Sequence, residues 1–212
     1  MIDKKMVAVA GLLTAALGVG CAKVPPVPVD RFYRLPPVEQ ETLGVAPAKE
    51  RSAGWLGDVV SVPAFRSDGI HKERALVYTD DPEAVALKRY HYHHWVDSPT
   101  RLLAEALALR LRAVGAGRMV LTGRDSVPDV TVSGRILEFE HHLRSGGTSQ
   151  ALVGLEIAVR RRGEPNPRQI RSYHAAEIVA DQTMLGAVAA FGRGLDRVIA
   201  ELIADLRSQP MR

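Results

Sequence analysis

The chain of 212 residues contains a single cysteine, Cys21. One thiol excludes an intramolecular disulfide and any zinc or iron–sulfur site built from several cysteines. A strong excess of one charge is also missing, because 28 Lys and Arg stand against 24 Asp and Glu, mixed along the chain. This balance does not indicate a nucleic-acid-binding protein. The sequence also lacks the G-x-S-x-G, P-loop and H-E-x-x-H motifs, so we predict no cofactor and no catalytic residue.

The first 20 residues have the organisation of a secretory signal peptide. Lys4 and Lys5 precede an apolar stretch of 14 residues over 6–19, and Gly20 lies directly before Cys21. This stretch is too short to span a bilayer, which takes about 20 residues. The run LGVGC at 17–21 resembles the bacterial lipobox, where signal peptidase II cuts before a cysteine that bears diacylglycerol. The resemblance implies that Cys21 is lipidated.

Residues 21–30 form a predicted tether between this lipid anchor and a folded body. Pro25, Pro26 and Pro28 favour the polyproline II conformation, which spans roughly 25–30 Å here at ~3.1 Å per residue. In lipoprotein sorting, an Asp directly after the cysteine tends to retain a protein in the inner membrane. Ala22 occupies that position, so the sorting rule implies the outer membrane, with the body facing the periplasm.

Residues 31–212 are long enough for one domain with a sizeable core. We predict strands near 31–35, 58–65, 74–79, 85–95, 118–122, 130–143, 151–159 and 169–179, and a long loop over 36–54. Pro63 suggests that the second strand lies at a sheet edge. A phase change in the apolar alternation predicts a β-bulge near Ile136. Hairpin turns join the later strands and favour antiparallel pairing.

Two amphipathic helices complete the predicted domain. Ser98 as N-cap and Pro99 at the first helical position begin one helix, and Gly115 ends it. The apolar face of the second helix comprises Leu185, Val188, Leu195, Val198, Ile199, Leu202 and Leu206. Gly192 and Gly194 lie inside this helix, which indicates close packing of helix on sheet. The predicted fold is α+β: a two-layer sandwich of a mainly antiparallel sheet with two amphipathic helices on one face.

Histidines and aromatic residues alternate in the strand that precedes the first helix. His91 and His93 are two residues apart and could share a face toward a metal ion, but a third converging ligand is not visible in the sequence. We therefore interpret the strand as solvated or partner-facing and predict no metal site. Tyr90, Tyr92 and Trp95 are the predicted partner-binding residues, with both tyrosines on one face. Trp95 filling the core beneath the helix start is the alternative.

A second candidate surface is the basic hairpin around residues 160–171. Arg160, Arg161, Arg162, Arg168 and Arg171 could meet phospholipid headgroups or an acidic partner. The alternative is a charged tip that only keeps an exposed hairpin soluble.

Residues 70–111, IHKERALVYTDDPEAVALKRYHYHHWVDSPTRLLAEALALRL, resemble a segment of the ABC-type transport auxiliary lipoproteins. These are PqiC-like outer-membrane lipoproteins that accompany mammalian-cell-entry-domain lipid transporters. The family pattern is a tyrosine-containing strand that ends in tryptophan, followed by proline and a Leu-rich helix. The matching residues are Leu76, Val77, Tyr78, Tyr90, Tyr92, Trp95, Pro99, Leu102 and Leu103. The run FYRL at 32–35 resembles the first strand of the family.

The resemblance implies a non-enzymatic accessory role at the outer membrane. The expected partners are the membrane, through the lipid anchor, and the periplasmic mammalian-cell-entry-domain subunit of an ABC transporter; phospholipid is a further candidate ligand. Two alternatives remain open. The domain could itself hold a lipid between helices and sheet, or it could be an outer-membrane assembly lipoprotein.

Overall fold

The computed structural model describes residues 28–36, 54–81, 83–123, 127–144 and 146–208. The predicted signal peptide, Cys21 and nearly all of the predicted loop at 36–54 lie outside these residues. Within the described ranges, no helix is long and apolar enough to cross a membrane.

The described residues form eight strands and two long helices. Their order along the chain is β1 (Arg31–Tyr33), β2 (Gly57–Ser61), β3 (Ala75–Thr79), β4 (Lys88–Trp95), α1 (Pro99–Ala113), β5 (Gly117–Leu121), β6 (Val130–Leu143), β7 (Ser149–Arg161), β8 (Gln169–Ile178) and α2 (Met184–Ser208). A short 3-10 helix, Gly69–Lys72, precedes β3.

The sheet is organised around β6, its longest strand. One side of β6 pairs with β7, which pairs with β8, both antiparallel. The other side pairs in parallel with β2 near Val130 and with β3 near His141. Strand β5 continues the sheet beyond β2, and β4 and β1 continue it beyond β3. The α+β prediction is confirmed, but the sheet is mixed. Strands that are not consecutive in the chain reach each other by crossovers, and crossovers produce parallel neighbours.

Strand β2 is not an edge strand, contrary to the prediction from Pro63. It pairs in parallel with β5 on one side and with β6 on the other. Pro63 follows the end of the strand at Ser61, where its missing N–H costs no ladder hydrogen bond. Val60 and Val62 are both fully buried, as expected for a central strand.

Helix α1 begins and ends where the sequence predicts. Ser98 is its N-cap, Pro99 its first residue, and Gly115 lies beyond its end with a φ of 65°. The Ser98 hydroxyl does not cap a backbone amide, because it pairs with the Thr100 hydroxyl at 2.9 Å. The helix packs against β5 and β6, so its Leu107 is buried beneath the sheet.

Helix α2 packs along β7 and β8. Six of the seven residues predicted for its apolar face are buried; Leu185, in the first turn, is 71% exposed, so that assignment is wrong. The predicted close packing of helix on sheet is confirmed at Gly194, because a Cβ there would lie 3.1 Å from a methyl group of Val153. It is wrong at Gly192, where a Cβ would instead lie 2.9 Å from the ring of Pro36, in the segment after β1. The predicted bulge in β6 is confirmed by the register shift between Ile136 and Glu138.

A buried ion pair connects the two helices. The Arg110 side chain of α1 is 2% exposed and donates from Nε to Asp196 Oδ1 of α2 at 2.7 Å. Arg110 also donates to the Ala106 carbonyl at 3.1 Å. Burial lowers the pKa of the Arg110 guanidinium, and the bond with Asp196 opposes that shift. Asp196 is therefore the ionic partner of a buried guanidinium that stays charged.

Candidate docking surface

Strand β4 carries the predicted partner-binding residues and lies between β1 and β3. Its pairing with β1 joins only Arg31–Tyr33 to residues 93–95. Residues 88–92 of β4 have no partner strand on the side away from β3 among the described residues. Unpaired backbone N–H and C=O groups of this kind can accept a strand from another chain.

The predicted alternation of Tyr90 and Tyr92 with the histidines is wrong. The pairing of β3 with β4 shifts register, with Ala75 opposite His94 but Val77 opposite Arg89. This irregularity brings the rings of Tyr90 and His93 into an edge-to-face contact at 5.6 Å. Tyr90 therefore packs against the core beside His93, whereas Tyr92 is 42% exposed.

Tyr90 is held by a partly buried polar network. Its hydroxyl is hydrogen-bonded to Nδ1 of His141 at 2.9 Å, and its ring lies 4.3 Å from the ring of Tyr78. Burial, with a smaller contribution from Tyr78, raises the pKa of Tyr90 to about 12. Burial and the neighbouring His142 lower the pKa of His141 to about 4. These contacts assign Tyr90 a structural role.

Trp95 belongs to the core, so its prediction as a partner contact is wrong. It is 1% exposed, and its ring lies 5.2 Å from Phe139 and 5.5 Å from Phe191 of α2. Its backbone N–H donates to the Arg74 carbonyl. The structure therefore agrees with the alternative interpretation, in which Trp95 fills the core at the start of the helix.

Four exposed apolar residues, on β1 and β4 or directly beside their ends, define what we call the β1–β4 patch. They are Val29 at 77% exposure, Phe32 at 54%, Tyr92 at 42% and Val96 at 36%. The Phe32 ring is 5.6 Å from the His94 ring, and the Arg74 guanidinium lies over it at 5.1 Å. Aromatic rings beside cations and imidazoles are typical of binding surfaces. Phe32 was not among the sequence-predicted contacts, because only the β1–β4 pairing brings it beside His94 of β4.

The histidines of β4 have separate roles. His93 Nδ1 is hydrogen-bonded to the Tyr33 hydroxyl at 2.7 Å, and burial, chiefly, lowers the pKa of His93. His94 Nε2 lies 3.7 Å from Asp30, and His91 is exposed. Over the described ranges, no group of three His, Cys, Asp or Glu side chains is arranged to hold a metal ion.

A buried carboxylate that sequence reasoning missed lies on β6. Glu140 is 6% exposed and lies between Nε2 of His71 at 3.3 Å and Nε2 of His142 at 3.1 Å. Burial raises the pKa of Glu140, but the two imidazoles outweigh burial and hold that pKa below its ordinary value. His71 comes from the 3-10 helix, so the sequence contains no local signal for this cluster.

Ion pairs neutralise much of the basic hairpin. Arg162 is 2.8 Å from Asp129, Arg168 is 2.5 Å from Glu164, and Arg171 pairs with Asp205 of α2. These contacts fit the alternative of a charged but internally compensated tip better than an open cationic surface.

The fold and the surface define a small α+β domain with an exposed aromatic patch. Its backbone is similar to the crystal structure of XCC0632 from Xanthomonas campestris, of family DUF330, with a TM-score of 0.66 and 16% identity over 82% of this chain and 92% of that one. A second solved structure, of an uncharacterized protein, has a TM-score of 0.62 and 14% identity over 84% of this chain and 99% of that one. At these identities the likeness shows the fold alone. No curated protein matches the chain.

Residues 42–203 match the family model of the ABC-type transport auxiliary lipoprotein component. The chain therefore belongs to this family, and the resemblance first seen at residues 70–111 is confirmed.

Proposed function

We propose that this protein is an outer-membrane lipoprotein, anchored through acylated Cys21, that docks the periplasmic part of an ABC-type lipid transporter. The partner is the mammalian-cell-entry-domain subunit of that transporter. In this proposal the protein is a non-enzymatic adaptor, and the β1–β4 patch is its contact surface. Family membership supports the transport role.

The observation that favours an adaptor over a lipid carrier is the filled space between helices and sheet. Phe139 of β6 and Phe191 of α2 lie 4.5 Å apart across this interface. Leu107 of α1, Val60 of β2 and Ile199 of α2 are each 1% exposed or less and belong to one continuous cluster. A domain that held an acyl chain at this interface would need a cavity there, since close-packed interiors leave little unfilled volume. The clefts found in the described residues, one at Ser61, one at Ala64 and one at Gly57, open at the molecular surface rather than inside this interface.

The position of the β1–β4 patch fits the proposed anchor. The described chain begins at Pro28 and enters β1 three residues later, directly beside the patch. A tether over 21–30 keeps this end of the body within about 30 Å of the membrane at ~3.1 Å per residue. A subunit that exchanges lipid with the outer membrane has to approach within that distance, so a patch at this end can meet it.

Co-purification from cells tests the adaptor role. The double variant Phe32→Ser/Tyr92→Ser removes the two aromatic rings of the patch without entering the core. We expect it to fold, to stay in the membrane fraction and to lose co-purification with the transporter subunit, because aromatic side chains carry a large share of binding energy at interfaces.

The matched control is Leu109→Ser/Leu185→Ser, which removes two exposed apolar side chains, 55% and 71% exposed, from the helices. This control should co-purify like the wild type. Full co-purification of the folded Phe32/Tyr92 variant would contradict docking through the patch. Absence of the transporter subunit from the wild-type preparation would contradict the adaptor role itself.

A further inference from the structure

A surface cleft of about 360 Å³ lies at the junction of β2, β6 and β7, away from the β1–β4 patch. Ser61, Thr131 and Arg160 line it, and their strand neighbours Val60, Val132 and Val159 are fully buried in the core. Because side chains alternate along a strand, the cleft lies on the sheet face opposite the helices. The two helices therefore leave this face free.

Strand register places three polar side chains of the cleft in a row. Ser61 of β2 is opposite Thr131 of β6, and Thr131 is opposite Arg160 of β7. Arg66 approaches from the segment after β2, where its backbone N–H donates to the Gly134 carbonyl at 2.8 Å. Arg66 and Arg160 thus reach one cleft from distant parts of the chain.

The positive charge of this cleft is not compensated by the residues that line it. None of its described lining residues is Asp or Glu. Two acids that flank the lining segments are already paired with other arginines. Asp68 lies 2.5 Å from Arg135, and Asp129 lies 2.8 Å from Arg162. Across the described part of the chain, neither Arg66 nor Arg160 forms an ion pair.

One of the three hydroxyl groups in the cleft can add a directional donor. Ser61 donates to the Gly123 carbonyl at 3.1 Å, and Ser133 donates to the Ala158 carbonyl at 3.2 Å. The Thr131 hydroxyl has no such bond among the described residues, so it is free to donate to a ligand. Two guanidinium groups and a hydroxyl form a donor set suited to a tetrahedral oxyanion.

We propose that this cleft binds a phosphate group. Arg66 and Arg160 supply the charge, and Thr131 supplies a hydrogen bond between them. The phosphate can belong to a lipid headgroup or be free in solution, since both present the same oxygens. This site goes beyond the proposed docking role and does not depend on it, because the cleft and the β1–β4 patch share no residue.

The test is a titration of the purified full chain in neutral detergent with inorganic phosphate, with glycerophosphoglycerol as an acyl-free headgroup, and with acetate. Affinity is measured by calorimetry, and amide chemical shifts report the location. We expect a phosphate compound to bind, to shift the amides of Thr131, Ser133 and Gly134, and to bind more tightly than acetate. Tighter binding of glycerophosphoglycerol would assign a lipid headgroup, and tighter binding of inorganic phosphate a free anion.

Two charge-matched variants localise the binding. Arg66→Gln/Arg160→Gln should weaken phosphate binding by about tenfold or more, because each lost guanidinium removes a charge-assisted hydrogen bond. Arg118→Gln/Arg144→Gln removes two exposed arginines that do not line the cleft, one on β5 and one directly after β6, and should leave the affinity within about twofold, since distant exposed charges are screened by salt. Equal weakening in both variants, equal affinity for acetate, or no binding of either phosphate compound would overturn the site. None of these results bears on co-purification through the β1–β4 patch, so the two proposals fail separately.

Discussion

Replacing Asp196 by alanine tests how the two helices are held together. The variant leaves the Arg110 guanidinium, 2% exposed, without its carboxylate partner. Removing one member of a buried ion pair costs about 3–5 kcal/mol. Asp196 retains 19% side-chain exposure, so water can enter the space that it leaves, and we expect the lower end, about 3 kcal/mol. For a domain of this size that loss lowers Tm by about 6–12 °C.

Urea unfolding followed by circular dichroism measures this free-energy loss. The control is the double variant Arg110→Met/Asp196→Leu, which removes both charges and fills similar space. We expect it to unfold within about 1 kcal/mol of the wild type, since apolar replacement of a buried pair is often neutral or stabilising. An Asp196→Ala variant as stable as the wild type would show that Arg110 is solvated. A double variant as unstable as the single one would show that packing, rather than an unpaired charge, causes the loss.

Two further predictions concern the anchor and the response to pH. Cys21→Ser should abolish acylation and leave the signal peptide uncleaved, so that acyl labelling is lost. Labelling that persists in the variant, or that is absent from the wild type, would contradict the lipoprotein assignment. Acid should destabilise the protein through His141. Burial lowers the pKa of His141 from 6.5 to about 4 in the folded state, so the folded protein disfavours the protonated imidazole. Stability is therefore full above pH 6.5 and is lost as the pH falls toward 4. From pH 7 to pH 5 the loss is about 2 kcal/mol, measured by urea unfolding, and His141→Gln should show a flatter pH dependence.

Features with local causes could be predicted from the sequence. The start of α1 follows from Ser98 and Pro99, and its end from Gly115, because capping and backbone restrictions act over a few residues. The bulge at Ile136 was visible as a change of phase in one strand. The apolar face of α2 was also predictable, except at Leu185, which lies in the first turn.

Features that depend on distant partners could not be predicted in the same way. Consecutive hairpins indicate antiparallel pairs, but nothing in β2 shows that β5 and β6 will both pair with it in parallel. The irregular pairing of β4 with β3 overturned the alternation of Tyr90 and Tyr92. Of the predicted contact residues, Trp95 is in the core and Tyr90 is bonded to His141, so Tyr92 alone remains well exposed.

Photo-cross-linking in cells from position 92 tests whether the protein docks its transporter through the β1–β4 patch. A photoreactive amino acid replaces Tyr92, and a second strain carries it at position 185, which is also exposed but lies far along the chain on α2. We expect an adduct between position 92 and the periplasmic mammalian-cell-entry-domain subunit, and none from position 185. No adduct from position 92, or the same adduct from both positions, would contradict docking through the β1–β4 patch.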